Sequence, residues 1–308
     1  MKKLACSIAL ATLSVTTSAA YAATIGVTMN RFNDTFAALL RNSMKQEGVA
    51  KGVNVEFEDA QLDIGRQISQ IQNFIAEKVD AIVVSLVDTD VSPKITKMAA
   101  AAGIPLVYVN LKPSDRTLPP KVTFVGSKES EAGSLEMTDV CRMLGGKGNV
   151  VILMGDLSHQ ATRERTQSAE EVTSTPACKN IKVVDKQSAK WSRTAAQDLT
   201  TNWLSSGIQF NAVVANNDEM ALGAIQALKS AKRLNGTIVA GIDATNDALA
   251  AMKTGDLKVT VFQDAGGQGR GAIDAALKLA RGESVPPATY LPFQLVTPAD
   301  LKQFEGRN

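Results

Sequence analysis

Short β-branched runs alternate with longer amphipathic stretches along nearly the whole chain from Ala23, and this alternation restricts the fold more than any other feature. Residues 24–29 read as a strand, and 35–52 as a helix with Phe36, Leu39, Leu40, Ser43, Met44 and Glu47 at helical spacing. Strand 54–59 follows, then helix 63–78 with Ile64, Ile68, Ile71, Phe74 and Ile75 on one face. Residues 81–86 are almost continuously apolar, the pattern of a strand covered on both faces. Helix 92–102, closed by Gly103, leads into strand 105–109. Beyond Val125 the same grammar restarts. Strands 149–154, 181–187, 212–215, 237–242 and 259–263 are separated by helices 161–173, 193–206, 218–231 and 246–254. Helix 267–281, the Pro286-Pro287 turn and a tail over 290–308 complete the chain.

Strands alternating with helices of this length imply parallel sheets with right-handed crossovers. There are too many strands for one open sheet of ordinary width. The 308 residues also exceed the roughly 250–300 at which single cores stop growing. The expected fold is therefore α/β, with two doubly wound parallel-sheet (Rossmann-like) domains.

Lys2 and Lys3, the apolar run over 4–15 and Ala20-Tyr21-Ala22 have the form of a signal peptide over 1–22, with cleavage expected after Ala22. The run is too short to span a bilayer about 30 Å thick as a helix. Most of the apolar run follows Cys6, the wrong order for a lipoprotein. The formal charge is +2, and loss of Lys2 and Lys3 leaves about zero (+2 − 2), which favours neither nucleic acid nor an anionic membrane as a partner. Without Cys6, Cys141 and Cys178 remain, either as a disulfide suited to an oxidising compartment or as two buried thiols.

Ligands of open parallel sheets sit beyond the carboxyl ends of the strands. The residues there are Asn30, Phe32, Asn33, Asp34 and Phe36 after the first strand, Ser85 and Asp88 after the third, and Asn110 after the fourth. The second half contributes His159, Arg163, Trp191, Asn217, Asp218, Asp243 and Gln263. Aromatic rings, amides, carboxylates and an arginine suit a small polyhydroxylated ligand. Ring C–H groups pack on Phe and Trp, carboxylates and amides accept from hydroxyls, and the guanidinium fork donates to two neighbouring oxygens. Asp34, Asn110 and Asp243 also have an ordinary alternative, as caps of the helices that follow them.

Enzyme readings find little to work with. His159 is the only histidine, and no serine lies in a G-x-S-x-G elbow. The run Gly266-Gly-Gln-Gly-Arg-Gly271 has the look of a phosphate loop but lacks its lysine, and reads instead as a tight helix start. No catalytic residue, cofactor or metal is expected.

Taken together, the strand ends resemble type I periplasmic sugar-binding proteins of the ribose and galactose class, nearest the inositol- and rhizopine-binding branch. The carriers are Val79-Asp-Ala-Ile-Val-Val-Ser85 with Asp88-Thr-Asp90, Ala102-Gly-Ile-Pro-Leu106, and Arg163-Glu-Arg165. Ala215-Asn-Asn-Asp-Glu-Met-Ala-Leu-Gly223, Gly241-Ile-Asp243 and Phe262-Gln263 continue the pattern. Asp243-Ala-Thr-Asn246 and Ala189-Lys-Trp-Ser-Arg193 point to the cyclitol branch. The resemblance implies that Phe36 and Trp191 sandwich the ligand ring while Arg163, Asn217, Asp243 and Gln263 bind hydroxyls. Asn110-Leu111 stands where the ribose class has Asp-Arg, and Asp34 is an additional acid, so the pattern departs from ribose itself. It implies a cyclitol such as myo-inositol, with ribose, another monosaccharide or a sugar alcohol as the alternative. The implied setting is the periplasm, as a monomer delivering to the membrane permease of an ABC transporter; a chemosensory role reads the same way. The implied domains are 24–125 plus 264–291 and 126–263 plus 292–308, joined by a three-strand hinge near 125–127, 263–265 and 291–293. A lactose-type repressor shares the fold but carries a DNA-binding segment where this chain has its leader-like start.

Overall fold

The computed structural model describes residues 23–308; the expected leader, its expected cleavage site and Cys6 lie outside the described residues. The chain runs β1 (Thr24–Met29), α1 (Thr35–Lys51), β2 (Asn54–Asp59), α2 (Ile64–Glu77), β3 (Ala81–Val84), α3 (Ser92–Ala102), β4 (Leu106–Asn110) and β5 (Val122–Gly126). It continues with α4 (Glu129–Met143), β6 (Lys147–Met154), α5 (Gln160–Thr173), β7 (Asn180–Ser188), α6 (Arg193–Ser205), β8 (Ala212–Ala215), α7 (Asp218–Ser230) and β9 (Ile238–Ala240). The last elements are α8 (Asn246–Lys253), β10 (Thr260–Phe262), α9 (Ala265–Ala280), β11 (Ala288–Tyr290), β12 (Gln294–Val296) and α10 (Leu301–Phe304).

Two parallel sheets result. The first has the order β11-β5-β4-β3-β1-β2, the second β7-β6-β8-β9. Single parallel bridges, Ala240 to Val259 and Asp243 to Phe262, tie β10 to the edge of the second sheet, and β10 pairs antiparallel with β12. The chain passes between the sheets three times, after Gly126, after Phe262 and after Tyr290. Both sheets are covered on both faces, which explains the continuously buried β3, β5 and β8.

Local chemistry sets the helix starts nearest the sheets' carboxyl ends. Asp34, Asp63, Asn217 and Asp264 each cap a helix by accepting a backbone N–H. The glycine run expected to open a helix lies in the first turns of α9. The pattern reading passes over β5 and α4. Glu129, Glu136 and Asp139 are buried on α4 beside Met137 and Val140, so its inward face does not look apolar. α4 and α5 cross closely because Gly133 has no side chain; a Cβ there would fall 2.0 Å from the Arg165 carbonyl oxygen. Cys141 at the end of α4 is disulfide-bonded to Cys178.

Candidate functional site

The carboxyl ends of the two sheets face each other across a cleft. The first sheet lines it with Asn30, Arg31, Asp34, Phe36, Ser85, Asn110 and Leu111. Glu129, His159, Arg165, Trp191, Asn217, Asp243 and Gln263 line it from the other side. Of the residues expected from the sequence, Asn30, Asp34, Phe36, Ser85, Asn110, His159, Trp191, Asn217, Asp243 and Gln263 therefore share one cavity.

Two others do not. Phe32 packs on the core of the first sheet with the Arg41 guanidinium 4.2 Å above its ring, because the loop after β1 turns that side chain away from the cleft. Arg163 lies on the outer face of α5, where it donates to Leu157 O (2.9 Å) and pairs with Asp90 (3.2 Å). Arg165 takes the inward place. Two residues along a helix rotate a side chain about 200° from its neighbour, so only one of the pair can face inward. Ala161 and Ala169, four residues to either side of Arg165, are buried, and that spacing is the signal that singles it out. Glu129 had no such signal. It is the first residue of α4 and reaches the cleft only because the chain crosses between sheets just before it.

Arg165 is held rigidly. Its Nε donates to Glu129 Oε2 (2.5 Å), Nη1 to Asn216 O (2.6 Å) and Nη2 to Gln263 Oε1 (3.0 Å). A guanidinium has five N–H donors, so two remain for a guest. Asp243 Oδ1 stands 3.9 Å from Arg165 Nη1, beyond hydrogen-bond reach. Burial pushes the Asp243 carboxyl well above the ordinary range, with Arg165 opposing that shift and Asp218 adding to it. Thr245, not Asp243, caps α8, which leaves the Asp243 side chain for the cleft. Among the described residues, Arg31 Nε, Glu129 Oε1 and Gln263 Nε2 are buried cleft-wall atoms without a hydrogen-bond partner.

The remaining members have defined surroundings. Asp34 accepts from Ala37 N (3.0 Å) and pairs with Arg31 (3.1 Å), so capping and cleft-lining coexist in one side chain. Asn217 caps α7 through Met220 N (3.0 Å), and Asn110 donates to Gln268 Oε1 (3.1 Å). Trp191 lies flat on Gly155, where an added Cβ would fall 2.2 Å from the indole. Its Nε1–H donates to His159 Nδ1 (2.9 Å), and the other ring nitrogen of His159 meets Val87 O (3.0 Å). Asn110, Trp191 and Asp243 have φ of 65°, 64° and 125°, a left-handed conformation costing an L-residue about 1–3 kcal/mol and typical of residues aimed at ligands. Both nitrogens of the only histidine are engaged by protein groups, so neither is free to act as a base.

Residues 25–284 match the family model described as "Periplasmic binding protein domain". A protein of Rhizobium meliloti assigned as a rhizopine-binding protein is 55% identical over 313 residues, covering 100% of both chains. An ABC transporter solute-binding protein of Bacillus halodurans, solved with bound myo-inositol, superposes with a TM-score of 0.87 at 40% identity, covering 93% of this chain and 98% of that one. The myo-inositol-binding protein of Caulobacter superposes with a TM-score of 0.85 at 25% identity, covering 91% of this chain and 95% of that one. The chain belongs to the type I periplasmic sugar-binding protein family, and is a binding protein rather than an enzyme.

Proposed function

We propose that this chain is the periplasmic substrate-binding component of an ABC sugar transporter and takes a cyclitol such as myo-inositol in the cleft. One observation carries the reading: Arg165, fixed on three sides with two N–H donors to spare, stands beside the Asp243 carboxyl, which among the described residues lacks a partner within hydrogen-bond distance. A ring with a hydroxyl on every carbon offers vicinal oxygens to the guanidinium fork and a neighbouring O–H to the carboxylate. Such charge-assisted bonds are about twice as strong as neutral ones. Phe36 and Trp191 supply apolar faces for the ring, and Gln263 Nε2 supplies one more donor. The bound myo-inositol of the Bacillus halodurans relative and the assignment of the Rhizobium meliloti protein favour a cyclitol over ribose.

The two lobes of this reading are 24–125 plus 264–291 and 126–263 plus 292–308, and the three passages between the sheets form the hinge. Hinge closure around a ligand, of which periplasmic binding proteins are a standard instance, buries the guest and keeps water from its hydrogen bonds. A micromolar complex needs about −8 kcal/mol, within reach of a few such bonds and two ring contacts. In this reading the exported protein is cleaved after Ala22, acts as a monomer and delivers its ligand to a membrane permease. Among the described residues no helix is long and apolar enough to cross a membrane.

The test is a thermal-shift and calorimetry panel of myo-inositol, ribose, glucose and xylitol on refolded, ligand-stripped protein. The largest shift is expected with myo-inositol. A pentose or hexose shift without a cyclitol shift overturns the ligand, and no shift with any of them overturns the sugar-receptor reading.

A further inference from the structure

We propose that His159 is a positioning residue: its neutral, Nε2-protonated ring fixes Trp191 in the cleft and bonds the opposite lobe, which makes ligand release proton-linked. The proposal rests on the cleft being the ligand site.

The tautomer follows from the partners. An indole Nε1–H can only donate, so His159 Nδ1, 2.9 Å away, must be an acceptor. The proton then sits on Nε2, which donates to Val87 O at 3.0 Å. The first bond lies within the lobe that carries α5, while the second crosses to the loop after β3. His159 is 2% exposed, and its ring lies edge to edge with that of Trp191, centroids 6.0 Å apart and planes 24° from parallel. Both ring nitrogens are spent on protein, so its contribution to a guest passes through the indole.

A proton added at Nδ1 would set an imidazolium N–H against the indole N–H, two donors face to face, and Trp191 would have to leave its place. The charged groups facing the ring are Asp156 on its own loop, Asp88 after β3 and Arg31 after β1. Arg165 stands 5.7 Å from the Trp191 ring. Burial is the largest influence and disfavours the imidazolium; Asp156, the bond to Val87 O and Asp88 favour it, and Arg31 opposes it. The net direction lies below the ordinary value of 6.5. The sign follows: the Trp191-ordered arrangement is fully favoured above pH 6.5 and is lost as pH falls through the depressed value.

Two measurements test this. The chain has one histidine, so an untagged, ligand-free sample shows one imidazole resonance, and the Trp191 indole N–H can be assigned with Trp191→Phe. Both resonances should titrate with one midpoint below 6.5, and an indole resonance that stays still while His159 titrates overturns the proposal. In the second, myo-inositol affinity is measured calorimetrically from pH 5 to 8. Wild-type affinity should fall by up to tenfold per pH unit below the midpoint. His159→Leu should bind weakly throughout. His159→Gln, whose amide can accept from the indole and donate to Val87 O, should recover most of the affinity lost in His159→Leu, with a shallower fall below the midpoint than wild type. A His159→Gln profile as steep as wild type overturns the inference. Should no cyclitol bind at any pH, the ligand reading fails while the resonance measurement still decides this one.

Discussion

Arg165 and Glu129 meet at the floor of the cleft, Nε to Oε2 2.5 Å, with side chains only 5% and 2% exposed. One comes from α5 and the other from the start of α4, and the close crossing at Gly133 brings them together. A buried ion pair of this kind is costly to break, because the surviving partner is left charged and uncompensated. Arg165→Met is therefore expected to destabilise the protein by about 3 kcal/mol or more and to weaken cyclitol binding over 100-fold. Arg163→Ala breaks an exposed pair worth about 0–1 kcal/mol, so at most about a fivefold change is expected. Denaturant unfolding and calorimetry on the two variants separate the roles; equal effects would contradict the assignment.

Trp191→Ala and Asp243→Ala should each weaken ligand binding by about 2 kcal/mol or more, since each removes a desolvated partner at the centre of the cleft. Far-ultraviolet circular dichroism should stay that of the wild type. Unchanged affinity in both variants would place the binding site elsewhere.

Asp218 accepts hydrogen bonds from Thr245 N (2.8 Å) and Thr260 Oγ1 (2.7 Å), yet burial, its largest influence, pushes its carboxyl up to about 7. A raised carboxyl keeps its stabilising contribution below the unfolded value near 4 and loses it as pH rises through about 7. Relative to Asp218→Asn, the wild type should lose up to about 1.4 kcal/mol per pH unit between pH 5 and 7, and nothing further above. Calorimetric unfolding of both proteins over pH 5–8 checks this, and a difference independent of pH refutes it. Comparing the two proteins cancels the opposite trend expected from His159.

The disulfide joins Cys141 and Cys178, 37 positions apart in sequence, and neither cysteine lines the cleft. Chain entropy alone gives such a cross-link about 3–4 kcal/mol. Cys141→Ser with Cys178→Ser should lower unfolding stability by about that amount while ligand affinity stays within twofold. A large loss of affinity would show that the bridge organises the cleft.

Much of the fold was legible in the residues themselves. Backbone periodicity and capping are local, so β1, α2, β3 and α7 stand out from their own side chains. Most of the cleft was legible too, because in parallel sheets the residue after a strand must emerge at the ligand end. Asp34, Phe36, Trp191, Asp243 and Gln263 follow from that rule alone. The pattern reading passed over β5 and α4, whose inward face carries Glu129, Glu136 and Asp139.

What tertiary structure decided was which neighbour faces in. Arg163 and Arg165 have the same chemistry; the packing of α5 against α4 turned one toward Asp90 on the rim and the other toward Glu129 and Gln263. Glu129 entered the cleft, and Phe32 left it, through the path of a loop and a crossing between sheets. The tautomer of His159 likewise depends on Trp191 and Val87, residues 32 and 72 positions away. Local order is written in short-range spacing, whereas the direction of a side chain at a site depends on contacts between segments far apart in the chain, which exist only once both sheets have formed.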